Sequence, residues 1–172
     1  HVTHSAGALN VTGTLDLQGG TASFAHSAGL GTFGALGPTA LSGTIKNGHV
    51  DGAGVSFAST NGHFDGITLD GSLTDSSGTL NIDNTLTLAD AVTLSMGVNQ
   101  LRFHTVGASI VTATPGVTHS TVQMGGNTVY NDAGGTATIG QGVTFQGWGS
   151  ITSCCVAGGA ITNAGTIDAT SA

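Results

Sequence analysis

The sequence predicts an all-β protein: a parallel β-solenoid (β-helix) of irregular turns, with an antiparallel β-sandwich as the alternative. Three observations point there. Apolar residues alternate with period two over long runs, as a strand with one buried face requires. Gly, Asn and Asp interrupt that alternation at short intervals. The composition also disfavours helix: Gly supplies 30 of 172 residues, only 6% are charged and Glu is absent. Ordinary domains are about 25% charged, so the charged residues that cover helix surfaces are missing here. Low charge with high Gly is also a mark of disorder, but the 38% hydrophobic content is patterned and not scattered.

In chain order, residues 8–20 (ALNVTGTLDLQGG) place Leu9, Val11, Leu15 and Leu17 on one face, with corners at Gly13 and Gly19. Residues 21–46 have apolar residues without a clean period and are punctuated by Pro38. They read as a turn with a surface excursion, with a short helix near 27–36 as the weaker option. Asn47-Gly48-His49-Val50-Asp51-Gly52 recurs as Asn61-Gly62-His63-Phe64-Asp65-Gly66, a short-range repeat. Asn-Gly is a strong tight-turn dipeptide, so the two sites bracket one strand, Val55–Ser59. Ile67, Leu69, Gly71 and Leu73 then resume the alternation.

Thr79–Val98 is the clearest stretch. At every second position it reads Leu80, Ile82, Asn84, Leu86, Leu88, Asp90, Val92, Leu94, Met96 and Val98. Strands average about 5–6 residues, so this run is expected to bend at Asn84 and Asp90 while keeping one face inward. Asn84 and Asp90 are then inward corners that stack and bond along the solenoid axis. Further strands are expected at Leu101–Val106, Ala108–Thr114 and Thr121–Gln123. Pro115-Gly116, Gly125-Gly126-Asn127 and 131–135 should break them. Period two returns at Val143, Phe145, Gly147, Gly149 and Ile151. No linker divides the chain, so residues 1–172 form a single all-β repeat domain.

Leu9–Gly19 and Leu80–Asp90 align as copies, and Ile161–Ala169 supplies a third. Their wide separation suits several intervening turns of roughly twenty residues each, the usual scale of such repeats. The third copy, ITNAGTIDA, resembles the x-L-x-N-x-G-x-I-x-A turn of filamentous-haemagglutinin-type and autotransporter-passenger β-helices. The resemblance implies a β-helical repeat protein of a bacterial surface, an adhesin or a fibre-forming structural protein.

The net charge is −7 with only Lys46 and Arg102 basic, which excludes an electrostatic nucleic-acid binder. No run approaches the roughly 18 apolar residues of a spanning helix, so no membrane insertion by a helix is expected. The chain opens at His1 without Met, as a processed chain or an excised fragment would. A Thr/Ser/Asn/Gly surface with almost no Lys or Glu points to an extracellular or cell-surface location.

Few residues suggest chemistry. His49 and Asp51, and likewise His63 and Asp65, sit two apart on a strand face, so the two pairs are candidates to converge on a metal; the alternative is polar residues beside tight turns. Cys154 and Cys155 admit three readings: buried thiols, a vicinal disulfide, or bridges to another subunit. On a strand, one would point inward and the other outward. A β-helix polysaccharide-active enzyme would need two carboxylates in a cleft. Asp51, Asp65, Asp70 and Asp75 are available, but isolated Asp is ordinary in turns. No enzyme activity and no cofactor are expected. Thr-x-Thr pairs resemble ice-binding faces, but their irregular spacing argues against a regular array.

The expected function is a structural protein that self-assembles into a fibre or surface layer through open β ends. Strand-like repeat at both termini, without a polar cap at Ala169–Ala172, motivates this, and the partner is another copy of the chain. The alternative is an adhesin stalk or passenger fragment binding glycan or a host surface.

Overall fold

Leu80–Met96 shows how this sequence makes a turn of a solenoid. Leu80 and Ile82 are buried on one wall, Leu86 and Leu88 on the next, and Leu94 and Met96 on a third. The chain bends between them at Asn84 and at the Asp90–Ala91 turn. Asn84 has φ +62° and Ala91 φ +59°, left-handed values that Asn tolerates better than most residues. Both expected corners are therefore present. They are not inward, however, because the left-handed bend turns Asn84 and Asp90 out to solvent. They still bond along the axis: Asn84 Nδ2 donates to Asp65 Oδ1, and Asp90 Oδ1 accepts the His119 amide at 3.0 Å.

The computed structural model describes residues 9–23, 39–52, 56–97 and 99–170. Its turns follow one another as β1 (Leu9–Val11), β2 (Thr14–Asp16) and β3 (Thr21–Ser23), then β4 (Thr39–Leu41) and β5 (Thr44–Asp51). β6 (Ser56–Gly71) and β7 (Leu73–Leu88) each run a whole turn as one bent strand. β8 (Thr93–Met96), β9 (Gln100–Phe103) and β10 (Ser109–Thr112) form the next turn. β11 (Ser120–Asn131) and β12 (Thr136–Ile139) follow, then β13 (Val143–Ser153) and β14 (Ala160–Asn163). β15 (Thr166–Ala169) begins one more. No helix occurs among the described residues.

Every strand pairing is parallel, so the antiparallel sandwich is excluded. The pairings form three walls. Wall A stacks β1, β4, the first parts of β6 and β7, β8, the first parts of β11 and β13, and β15. Wall B stacks β2, the first part of β5, the middles of β6 and β7, β9, and the second halves of β11 and β13. Wall C stacks β3, the ends of β5, β6 and β7, then β10, β12 and β14. A parallel ladder satisfies backbone polar groups between turns without help from charged side chains.

The Asn-Gly sites are corners, not hairpins. Asn47 (φ +55°) turns the chain from wall B to wall C, and Asn61 (φ +59°) turns it from wall A to wall B. The strand they were expected to bracket is part of β6, which continues through the second site to Gly71. The offset between the two Asn-Gly sites is therefore not a turn length. The three longer copies are likewise not stacked. Leu9 lies on wall A, Leu80 on wall B and Ile161 on wall C, so each copy writes a different corner. What recurs is strand–corner–strand grammar. True register steps vary: Thr39 faces Phe57, whereas the step from Thr93 to its partner Thr121 is much longer.

Residues 39–46, expected as part of an excursion, are largely strand. The suggested helix near 27–36, Val55 and Val98 lie outside the described residues. Gly125–Asn127 do not end a strand; they bend β11 from wall A to wall B with a register shift.

The core is a set of axial columns. On wall B, Leu15, Ile45, Phe64, Ile82 and Phe103 stack turn over turn, and the last four are at most 1% exposed. Phe57 on wall A meets Phe64 edge-on, with ring centroids 6.4 Å apart. Each such side chain contributes about 1.5–3 kcal/mol on burial. One corner depends on glycine outright: a Cβ on Gly78 (φ +89°) would lie 1.6 Å from the Ser59 carbonyl oxygen. Only a residue without Cβ passes between walls A and B there.

Candidate functional site

The outward face of wall B gathers much of the charge in the molecule. One column runs Asp16, Lys46, Asp65, Asp83 and, continuing the ladder, His104. Beside it runs Thr44, His63, Asn81, Arg102 and Tyr130. Strand alternation explains this placement, since each adjoins an inward apolar residue, as His63 adjoins Phe64 and Asp83 adjoins Ile82. Lys46 Nζ pairs with Asp16 at 3.5 Å. Arg102 binds Gln100 Oε1 through Nε (3.1 Å) and Nη2 (2.7 Å), reaches Asp132 at 3.4 Å and lies 5.8 Å from the Tyr130 ring centroid.

Between these cations, Asp83 sits between two imidazoles. Its Oδ2 is 2.7 Å from His63 Nδ1 and its Oδ1 is 2.9 Å from His104 Nδ1. The rings meet edge to face at 5.0 Å. The His63 and Asp83 side chains are largely covered (19% and 16% exposed), while His104 is open (47%). His63 belongs to β6, Asp83 to β7 and His104 to the residue after β9, so the cluster joins three successive turns. Beneath it Asn81 is 1% exposed. Its Nδ2 donates to Asn61 Oδ1 and Gly62 O and lies 3.4 Å from His63 Nε2, while its Oδ1 has no partner.

The expected convergence of His49/Asp51 with His63/Asp65 does not occur. His49 and Asp51 face outward from wall C, whereas His63 and Asp65 face outward from wall B. His49 Nδ1 meets Asp70 Oδ2 at 2.9 Å, Asp51 accepts from Ser23 Oγ, and Asp65 accepts from Asn84. The Asn-Gly-His repeat therefore found one ligand of the cluster, His63, and missed Asp83 and His104.

The four carboxylates considered for catalysis are also dispersed. Asp51 and Asp70 lie on wall C and Asp65 on wall B, while Asp75 points inward from wall A and is fully buried. Asp75 Oδ1 accepts the Ser59 amide (3.1 Å), and its Oδ2 accepts Asn99 Nδ2 (2.9 Å). Burial raises its carboxyl from 3.8 to about 6, against the pull of the Ser59 hydroxyl and the Ser59 and Ser77 amides.

Cys154 and Cys155 are bonded to each other. They follow the end of β13 in a turn, with Cys155 at φ +76°, so the strand-face argument does not apply to them. The Thr-x-Thr pairs do not stack into one array, since Thr85 faces Ser109 and Thr87 faces Val111; a different set of Thr does align. Thr93, Thr121, Thr144 and Thr166 form one outward column on wall A, because loops of unequal length restore the register.

At the two ends the ladders stop with apolar residues uncovered. Among the described residues β15 pairs with β13 alone, and Ile167 is 51% exposed beside Trp148 at 46%. Met124, Phe145, Trp148, Ile151 and Ile167 line a shallow recess there. At the other end, among the described residues, β1 pairs with β4 alone and β2 with β5 alone, and Leu9–Leu15 line a second recess. No protein-family model, curated protein or solved structure matches the chain.

Proposed function

We propose that this chain is an extracellular or cell-surface structural protein whose solenoids stack end to end into a fibre or layer. The observation that carries the reading is the state of the two ends. Among the described residues, each presents an unpaired parallel strand edge with apolar side chains beside it, and such an edge templates further strand addition. Stacking β15 of one copy against β1 of the next would continue wall A and cover Ile167. Head-to-tail addition without closure gives filaments. Wall A is nearly uncharged on its outward face, so lateral packing meets little like-charge repulsion. The Cys154–Cys155 disulfide suits an oxidising compartment. The resemblance of Ile161–Ala169 to surface β-helix repeats points the same way. The reading is non-catalytic, since the Asp residues that would serve hydrolysis do not share a cleft.

Sedimentation over a range of concentrations tests this. The expected result is concentration-dependent association that Ile167→Lys abolishes while the β circular-dichroism spectrum is kept. A monodisperse monomer at every concentration contradicts the proposal.

A further inference from the structure

We propose that His63, Asp83 and His104 form a divalent transition-metal site that pins three successive turns of the solenoid on wall B. The two imidazole nitrogens and a carboxylate oxygen all lie within 4.8 Å of one another. In a tetrahedral zinc site with bonds of about 2.0–2.1 Å, ligand atoms stand about 3.3 Å apart. The present His–Asp separations of 2.7 and 2.9 Å are slightly shorter. These two separations are made by different oxygens of Asp83, so an ion held by one of them requires the carboxylate to turn and the three ligand atoms, now within 4.8 Å, to close to that spacing.

The surroundings favour a metal over a simple polar cluster. Arg102, the nearest strong cation in the neighbouring column, is turned away onto Gln100 and Asp132. The Asp83 oxygens are left to face the two imidazoles. The donor set is nitrogen-rich, which suits Zn²⁺ or its transition-metal neighbours and not Mg²⁺ or Ca²⁺. Binding at His63 Nδ1 places the ring proton on Nε2. That atom now lies 3.4 Å from the Nδ2 of the buried Asn81, whose Oδ1 has no partner; for Oδ1 to accept the ring proton, as the outer support of a metal-bound histidine does, the amide must turn and give up its bonds to Asn61 and Gly62. The exposure of His104 leaves a fourth position open to water. Three ligands from β6, β7 and the end of β9 tie together turns otherwise joined by ladders, core contacts and neutral or single-charge hydrogen bonds such as Asn81–Asn61 and Asn84–Asp65.

Calorimetric titration of the protein with Zn²⁺ tests the site, together with ¹⁵N NMR of the imidazoles in the unmutated chain. The expected result is one ion per chain, with the Nδ1 resonances of His63 and His104 shifting and the melting temperature rising. His63→Ala and His104→Ala should each weaken binding at least tenfold, and Asp83→Asn should weaken it too. His49→Ala, which removes a histidine from a two-residue His–Asp pair, should leave it unchanged. Absence of stoichiometric binding overturns the proposal. So does binding that survives both His63→Ala and His104→Ala, or that is lost with His49→Ala alone.

Discussion

Walls A and B are built from the same alternating strands around one core, yet their outer faces differ. Wall A shows solvent the Thr93–Thr121–Thr144–Thr166 column, and Asp168 is its one outward charge among the described residues. Wall B shows Asp16, Lys46, His63, Asp65, Asp83, Arg102 and His104 in two adjoining columns. Inside, the contrast reverses: wall B contributes the Phe64–Ile82–Phe103 stack, whereas wall A buries Asp75. The solenoid thus separates its tasks. The core side of each strand holds the fold, and the solvent side is free to specialise wall by wall, because each turn lays its residues in register on the turn before.

The largest expected effect comes from the shared interior. Phe64→Ala on wall B and Phe57→Ala on wall A should each cost about 3–5 kcal/mol in denaturant unfolding. Because the two rings touch, the double variant should depart from the sum of the single losses, and strict additivity would contradict a core shared by the two walls.

Next comes the buried carboxyl of wall A. Its folded pKa of about 6 exceeds its unfolded value of 3.8. The fold therefore favours the protonated form, whose stability contribution is complete below about pH 4 and lost as pH rises through about 6. Asp75→Asn should flatten this dependence and stabilise the protein at pH 7 by up to about 3 kcal/mol, given 1.36 kcal/mol per pKa unit. Thermal melts of both proteins between pH 4 and 8 check it, and identical pH profiles would contradict it.

On the outer face of wall B, Arg102→Ala removes a part-exposed ion pair with Asp132 and the contact with Tyr130. A loss of about 1 kcal/mol is expected, shrinking with added salt. The smallest effect belongs to wall A: Thr121→Val should change stability by less than about 0.5 kcal/mol. A larger loss there would show that the neutral columns are structural too.

The contrast also explains what could be read from the sequence. Alternation depends on neighbours two positions apart, so Leu80, Ile82, Leu86, Leu88, Leu94 and Met96 announce themselves as inward-facing, and the bends at Asn84 and Asp90 are visible as interruptions. Register depends on loop length, which varies from turn to turn. The partners of His63 were therefore hidden, and the short-range His-x-Asp repeat pointed to residues on another wall. A usable signal was present. Thr79–Val98 spans roughly one turn, and stepping forward by that length from His63 reaches Asp83 and then His104. Asp75 gave a fainter sign, falling two residues after Leu73 on the inward parity. Its full burial follows from the inward column it shares with Phe57 and Met96, which the three-wall register reveals.

Fibre diffraction from concentrated, aligned protein tests end-to-end stacking most directly. Copies stacked along a common solenoid axis should give filaments with a meridional reflection near ~4.8 Å, the spacing between paired strands. Protein that stays monomeric at high concentration, or filaments whose strands run along the fibre axis, would contradict it.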